Sequence, residues 1–210
     1  MNITIIGASA GVGLEAVKRA LKRNHKITAL SRSDISLPGN TNLLTIKGSA
    51  TNKNDLKKSI EQAEAVIVAL GTGKSMKPTT LYSDFAKLLT EVQGEANWQI
   101  PFIILTGFGA GESAAYNSWL MKLFFKLLLK DVYADKTKME EIITGSKMKW
   151  EIVRPGLLKD KPLTEEYRIE TKLYAGINIG NINRADVADF LVKQAENPTY
   201  LYNYCSLSNK

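Results

Sequence analysis

A doubly wound α/β fold, one parallel sheet with helices on both faces and a small C-terminal substrate-covering segment, is what this sequence predicts. Three observations carry the prediction. Apolar, β-rich runs alternate with helical patterns almost from end to end. The runs are continuously apolar rather than alternating, as strands covered on both faces are. A cluster of glycines, Gly7, Gly11 and Gly13, separates the first strand from the first helix.

Taken in order, ITII (3–6) is a strand, a helix follows over about 12–23, and KITAL (26–30) is the second strand. NLLTI (42–46) is the third, followed by a helix over 53–62 and the strand AVIVAL (65–70). A helix over 79–94 precedes IPFIILT (100–106), a long and interrupted helical region covers 117–145, and WEIVR (150–154) is the sixth strand. Residues 155–183 are irregular, with short strands near 167–171 and 176–180; RADVADFLVKQAE opens a helix at Arg184, and YLYNYCSL (200–207) closes the sheet. With no repeat or linker, residues 1–210 read as one domain. In it, 155–183 and 198–210 form a cover over the crevice beyond the carboxyl ends of the strands.

Composition narrows the function. The 210 residues are 44% hydrophobic and 23% charged, ordinary values for a globular chain. The net charge of +7 is spread without basic blocks or interleaved aromatics, which argues against nucleic acid. The single cysteine, Cys205, and single histidine, His25, exclude an intramolecular disulfide and a His/Cys zinc cluster. His25, in the polar run KRNHK, is expected to be a solvated turn residue. The most apolar stretch, WLMKLFFKLLL (119–129), is too short to span a bilayer and is interrupted by Lys122 and Lys126. Leu120, Phe124, Leu127 and Leu128 recur at helical spacing there, so that face is expected to bury against the sheet, with Lys122, Lys126 and Lys130 solvated. No basic-then-apolar signal region precedes the first strand, so a cytoplasmic setting without membrane contact is expected.

The glycine cluster has a chemical reading. Gly7 permits a sharp exit from the strand, Gly11 lets backbone amides approach a pyrophosphate, and Gly13 lets helix and strand pack closely. Ser9, Ala10 and Val12 complete the loop, whose amides face the positive end of the helix; the Ser9 hydroxyl is a further donor. The end of the second strand then selects the cofactor. NAD calls for an acid there, but this chain has Ser31-Arg32-Ser33. Arg32 suits bidentate contact with a 2′-phosphate and the serines can donate to it, which favours NADP(H).

These residues resemble the atypical short-chain dehydrogenase/reductases, with their NAD(P)-binding Rossmann fold; Gly7-x-x-x-Gly11-x-Gly13 is a spacing common among them. Further stretches are similar to the NADPH-dependent biliverdin-IXβ/flavin reductases and their NmrA-like relatives: ALGTGKSMKPTT (69–80), ADKTKMEEIITGSKMKWEIVRPG (134–156), LLKDKPLTEEYRI (157–169) and NRADVADFLV (183–192). The resemblance implies that Gly71, Thr72 and Gly73 lie against the cofactor's ribose and phosphates, and that Pro155, Gly156 and Leu157 lie along the nicotinamide. It places Thr106 and Lys136 at the reacting end, as candidate catalytic groups that also contact the cofactor.

Departures from that family are informative. Orthodox members use a Tyr-x-x-x-Lys pair, but four residues before Lys136 stands Val132. Tyr133 is one position off, about 100° round the helix, and is expected to point elsewhere. Gly107 stands where relatives often carry a serine, leaving Thr106 as the nearest hydroxyl, and Gly48-Ser49-Ala50 replaces a Gly-Asp that serves adenine. Ordinary alcohol/ketone chemistry is therefore disfavoured. The expected function is an NADPH-dependent reductase, monomer or homodimer, that transfers hydride to a planar conjugated small molecule such as a flavin, quinone or bilin. The alternatives are a non-catalytic NADP(H)-sensing regulator of NmrA type and, less favoured, a sugar-nucleotide epimerase. Tyr116, Trp119 and Tyr133 are candidate walls of an aromatic pocket.

Overall fold

The computed structural model describes residues 1–35, 37, 39–73, 75 and 77–210. Seven parallel strands make the body of one sheet: β1 (Asn2–Ile6), β2 (Lys26–Ser31), β3 (Leu43–Lys47), β4 (Ala65–Val68), β5 (Pro101–Leu105), β6 (Lys149–Pro155) and β10 (Tyr204–Asn209). β8 (Tyr167–Glu170) pairs antiparallel with β10, and the order is β3-β2-β1-β4-β5-β6-β10-β8. Chain order reverses between β1 and β4, and that reversal opens a crevice at the carboxyl ends of the strands.

Both faces are covered because alternate residues of each strand are apolar in both directions. Ile3, Ile5, Ile67 and Val153 face α1 (Gly11–Lys22) and α6 (Arg184–Glu196). Ile6, Val68, Ile104 and Ile152 face α2 (Lys53–Ile60), α3 (Leu81–Ala96) and α5 (Lys130–Thr144). The predicted Rossmann-type architecture is thus present, with strand limits shifted by a residue or two.

Four expectations change. Residues 176–180 are not a strand; β9 is Asn181–Asn183, paired in a separate two-stranded sheet with β7 (Leu157–Lys159). Residues 204–209 join the main sheet, as the closing strand expected over 200–207 does, but as an interior strand with β8 beyond it; β6 offers them a parallel edge from Tyr204↔Ile152 to Leu207↔Pro155. His25 is only 9% exposed, its Nε2 2.6 Å from Glu196 Oε1, a carboxylate that Arg23 also holds.

The fourth concerns the long apolar run. It forms a short helix α4 (Trp119–Phe124), a π-helical turn (Phe125–Leu129) and then α5. The side chains of Leu120, Phe124, Leu127 and Leu128 face solvent rather than the sheet, with Leu127 70% exposed; Lys122, Lys126 and Lys130 are exposed as expected.

Residues 164–167 are fastened by the NRADVADF segment. The Asp186 carboxylate accepts from the Thr164 and Glu165 amides and the Thr164 hydroxyl at 2.8–2.9 Å, and Asn183 also donates to it. Asp189 accepts from the Tyr167 hydroxyl and from Arg19 of α1. The two acids of this segment thus act as a clamp.

Candidate active site

The glycine loop is built as its spacing requires. Gly7 sits at φ +87, and a Cβ there would lie 2.5 Å from the Ala69 carbonyl oxygen, so β1, β4 and the loop meet without side chains. A Cβ on Gly13 would lie 2.1 Å from the Gly7 carbonyl oxygen, which is the close helix–strand contact that only glycine permits. Gly11, at φ +55, has room for a Cβ, whose nearest neighbour would be the Arg184 Nε at 3.8 Å.

Ala10 is the N-cap of α1, and no side chain caps the helix; its first turn carries no acid. The leading amides are therefore left for a ligand, where most helices spend a serine or aspartate. Ser9 is partly exposed and its hydroxyl has no partner among the described residues. Val12 is buried, so only its amide is available.

At the end of β2, Arg32 is exposed and makes no ion pair among the described residues. Ser31 is different: it is buried and its hydroxyl donates to the Ser33 carbonyl at 2.6 Å. Of the two serines predicted to donate, only Ser33 keeps a free side chain among the described residues. Beside β3, the Asp55 carboxylate accepts from the Ser49 amide at 2.9 Å, so an acid from α2 stands at the place where the Gly-Asp of relatives is missing.

Past β4, Gly71 and Gly73 are exposed with no tight neighbour, while the Thr72 hydroxyl donates to the Ser75 carbonyl at 2.9 Å. The loop's amides, rather than this hydroxyl, are free to meet a ligand. Lys74 and Met76 of the 69–80 stretch lie outside the described residues.

The ends of β5 and β6 hold the reacting end. Thr106 is buried and its hydroxyl donates to Glu140 Oε1 at 2.6 Å, turned away from the crevice. Glu140 also accepts from Arg154 at 3.0 and 2.6 Å, and Arg154, itself fully buried, is gripped again by Glu112. Burial alone would weaken the guanidinium, but the bonds to Glu140 and Glu112 raise its pKa instead. This cluster anchors the strand ends and consumes the Thr106 hydroxyl, so Thr106 is placed at the site without being presented to it.

Lys136 reaches the site from α5. Its Nζ donates to the Thr106 carbonyl at 2.7 Å and stands over the rings of Tyr133 (5.0 Å) and Tyr82 (5.4 Å). Burial lowers its pKa to about 8, although Glu140 pulls the other way. The expectation for Tyr133 is corrected here. Val132 points into the core, and Tyr133 shares a helix face with Lys136 because residues three apart are neighbours on a helix. A Cβ on Gly107 would meet the Tyr133 hydroxyl at 2.9 Å. The missing serine is thus the room that Tyr133 uses. Burial pushes the phenol up to about 12, so it is fully protonated at neutral pH.

Above these groups lies a pocket of about 140 Å³ lined by residues that include Phe108, Phe125, Tyr133, Pro155, Gly156 and Leu157. The backbone there is pinned. Gly156 donates to the Leu207 carbonyl, Leu157 donates to the Gly180 carbonyl, and a Cβ on Gly156 would strike the Gly180 oxygen at 2.2 Å. Of the aromatic candidates, Tyr133 is in this wall, while Trp119 is 72% exposed and Tyr116 lies outside it. A hollow of about 390 Å³ nearby shares Asn178, Gly180 and Asn181 but has none of Phe108, Tyr133 and Pro155–Leu157 at the ends of β5 and β6. The smaller pocket is therefore the one that adjoins Tyr133 and the ends of β5 and β6.

A family model described as NAD(P)H-binding matches residues 7–198, nearly the whole chain. The chain belongs to the NAD(P)H-binding family. Solved structures agree on the fold. A short-chain dehydrogenase/reductase from Veillonella parvula in complex with NADP has a TM-score of 0.82 at 17% identity, covering 99% of this chain and 94% of that one. A candidate NADH-flavin reductase from Streptococcus pneumoniae scores 0.79 at 23% identity and full coverage of both chains. An anaerobillin reductase from Escherichia coli O157:H7 scores 0.76 at 20% identity, covering 100% and 97%.

This NAD(P)H-binding protein fits its cofactor class by its own residues: an uncapped helix, a glycine cradle with no room for a Cβ at Gly13, and strand ends that converge there. Sequence reading missed one neighbour of that cradle. Arg184, the first residue of α6, stands beside Gly11 with its Nη1 2.7 Å from the exposed Asp160 carboxylate. The NRAD motif contained it, but nothing in linear spacing says that residues 11 and 184 meet.

Proposed function

We propose that this protein is an NADPH-dependent reductase that passes hydride to a planar conjugated acceptor of the flavin, quinone or bilin type, in a reducing cytoplasmic setting. One observation carries the reading: the pocket beyond β5 and β6 has mainly aromatic and apolar walls, and among the described residues its one titratable lining side chain, Tyr133, holds its proton. Such acceptors take hydride without a protein acid of lowered pKa, unlike a simple ketone. Bound NADPH supplies the hydride.

The chain's own groups position the reactants. The amides of Ser9 to Gly13 and the Arg184 guanidinium would hold the pyrophosphate, and Arg32 with Ser33 the 2′-phosphate. The amides of Gly71 to Gly73 would meet the adjoining ribose and phosphates, and Lys136 the nicotinamide ribose. The backbone at Pro155, Gly156 and Leu157 would close one side of the nicotinamide. Tyr133 walls the acceptor pocket and keeps its proton.

Steady-state NADPH oxidation with free flavin, a soluble quinone and a bilin tests this. Turnover with at least one is expected, and Tyr133→Phe should leave kcat within about threefold while raising KM, since a wall contact is lost and no proton donor. A fall in kcat of a hundredfold would instead make Tyr133 an acid. Stoichiometric NADPH binding without oxidation of any acceptor would leave the non-catalytic regulator, which the same lack of a tuned acid also suits.

A further inference from the structure

The run from Trp119 to Lys130 has two faces with different fates. Met121 and Phe125 turn inward to the pocket, where Phe125 packs against Tyr133 with ring centroids 4.4 Å apart. Trp119, Leu120, Leu123, Phe124, Leu127 and Leu128 turn outward and are all exposed. They keep 39–72% of their surface in solvent. An exposed apolar strip of this extent on a globular protein marks a contact surface.

Charge decides which contact. Residues 117–130 contain Lys122, Lys126 and Lys130 and no acid, and the three lysines, spaced four apart, run as one exposed row beside the apolar strip. A second copy would bring a like row of lysines to the same patch in a two-fold contact, on a chain already carrying +7. A strip of Trp, Leu and Phe flanked by lysines matches instead the boundary between acyl chains and anionic headgroups, with Trp119 at one end as an interfacial anchor. Among the described residues no helix is long and apolar enough to cross a membrane, so the contact is peripheral.

We infer that the segment 119–130 docks this protein on an anionic phospholipid surface, apolar strip inward and lysines at the headgroups. The same segment forms part of the pocket wall, so an acceptor dissolved in the lipid would reach the pocket at its mouth; only that consequence rests on the reductase reading. Flotation of the whole protein with vesicles, without NADPH, tests the docking itself. The protein is expected to float with mixed phosphatidylglycerol–phosphatidylcholine vesicles at low salt and not with phosphatidylcholine alone. Lys122→Gln and Lys126→Gln should each weaken partitioning roughly fivefold. Leu123→Glu with Leu127→Glu should abolish it while the thermal midpoint holds. Absence of flotation, flotation that these variants leave unchanged, or a dimer in sedimentation that the leucine pair dissolves in place of flotation would each overturn the inference.

Discussion

Arg32 and Arg184 are two cations at one crevice with different tasks. Among the described residues Arg32 makes no ion pair at the end of β2, where the proposed reading puts the 2′-phosphate that only NADP carries, whereas Arg184 stands beside Gly11 of the loop proposed to hold the pyrophosphate common to both cofactors. Arg32→Ala should therefore cost NADPH binding about 1.5–3 kcal/mol and barely change NADH, read by cofactor titration. Arg184→Ala should weaken both equally, by about 1 kcal/mol, because the residue is partly solvated and Asp160 competes for it. Both cations are arginines in the sequence, but only Arg32 was legible as a ligand, since it follows a strand end directly. Tyr133 shows the opposite limit. Counting from the orthodox motif put it about 100° away, but a side chain's reach is set by its neighbours, and Gly107 opened the space that lets it enter the site.

Elements meet through small residues at the carboxyl edge. The contact of α1 with β1 depends on Gly13 having no Cβ, because the opposing atom is the Gly7 carbonyl oxygen, which cannot swing away. Gly13→Ala should destabilise the protein by about 1–3 kcal/mol in urea unfolding and weaken cofactor binding as well, since the loop must shift. The helical pattern of 119–129 was equally legible as an element, but its apolar spacing named the wrong face as the buried one. Periodicity reports that a helix has an apolar side, and says nothing of whether protein or something else covers it.

At the scale of the molecule, one buried group ties stability to pH. Glu151, in the middle of β6, is fully buried with both carboxylate oxygens unpartnered among the described residues, and desolvation raises its pKa to about 8. Between the ordinary carboxylate range and pH 8 the folded chain therefore holds a proton that the unfolded chain has lost. Stability should fall as pH rises through that window. Glu151→Gln should remove this slope, leaving the variant more stable than the parent at pH 8, on the order of a few kcal/mol, and equal to it near pH 4; urea midpoints at both pH values decide it. Glu196 acts in the other direction: bonds from Arg23 and then His25 hold it down to about 2, so its contribution is present at neutral pH and is lost progressively as pH falls from the ordinary carboxylate range through about 2.

The alternation of strands and helices, the parallel sheet, the glycine cradle and the cation behind it are legible in the sequence, because each is written in residues close along the chain. Periodicity, turn chemistry and helix-terminus electrostatics act over a few residues and need no fold to be read. Packing of the whole chain is what puts β8 outside β10, Asp55 by Ser49, the Thr106 hydroxyl on Glu140 and Arg184 beside Gly11. Those pairings join distant positions, and which of several chemically equal partners a side chain finds depends on packing of the whole sheet and its helices.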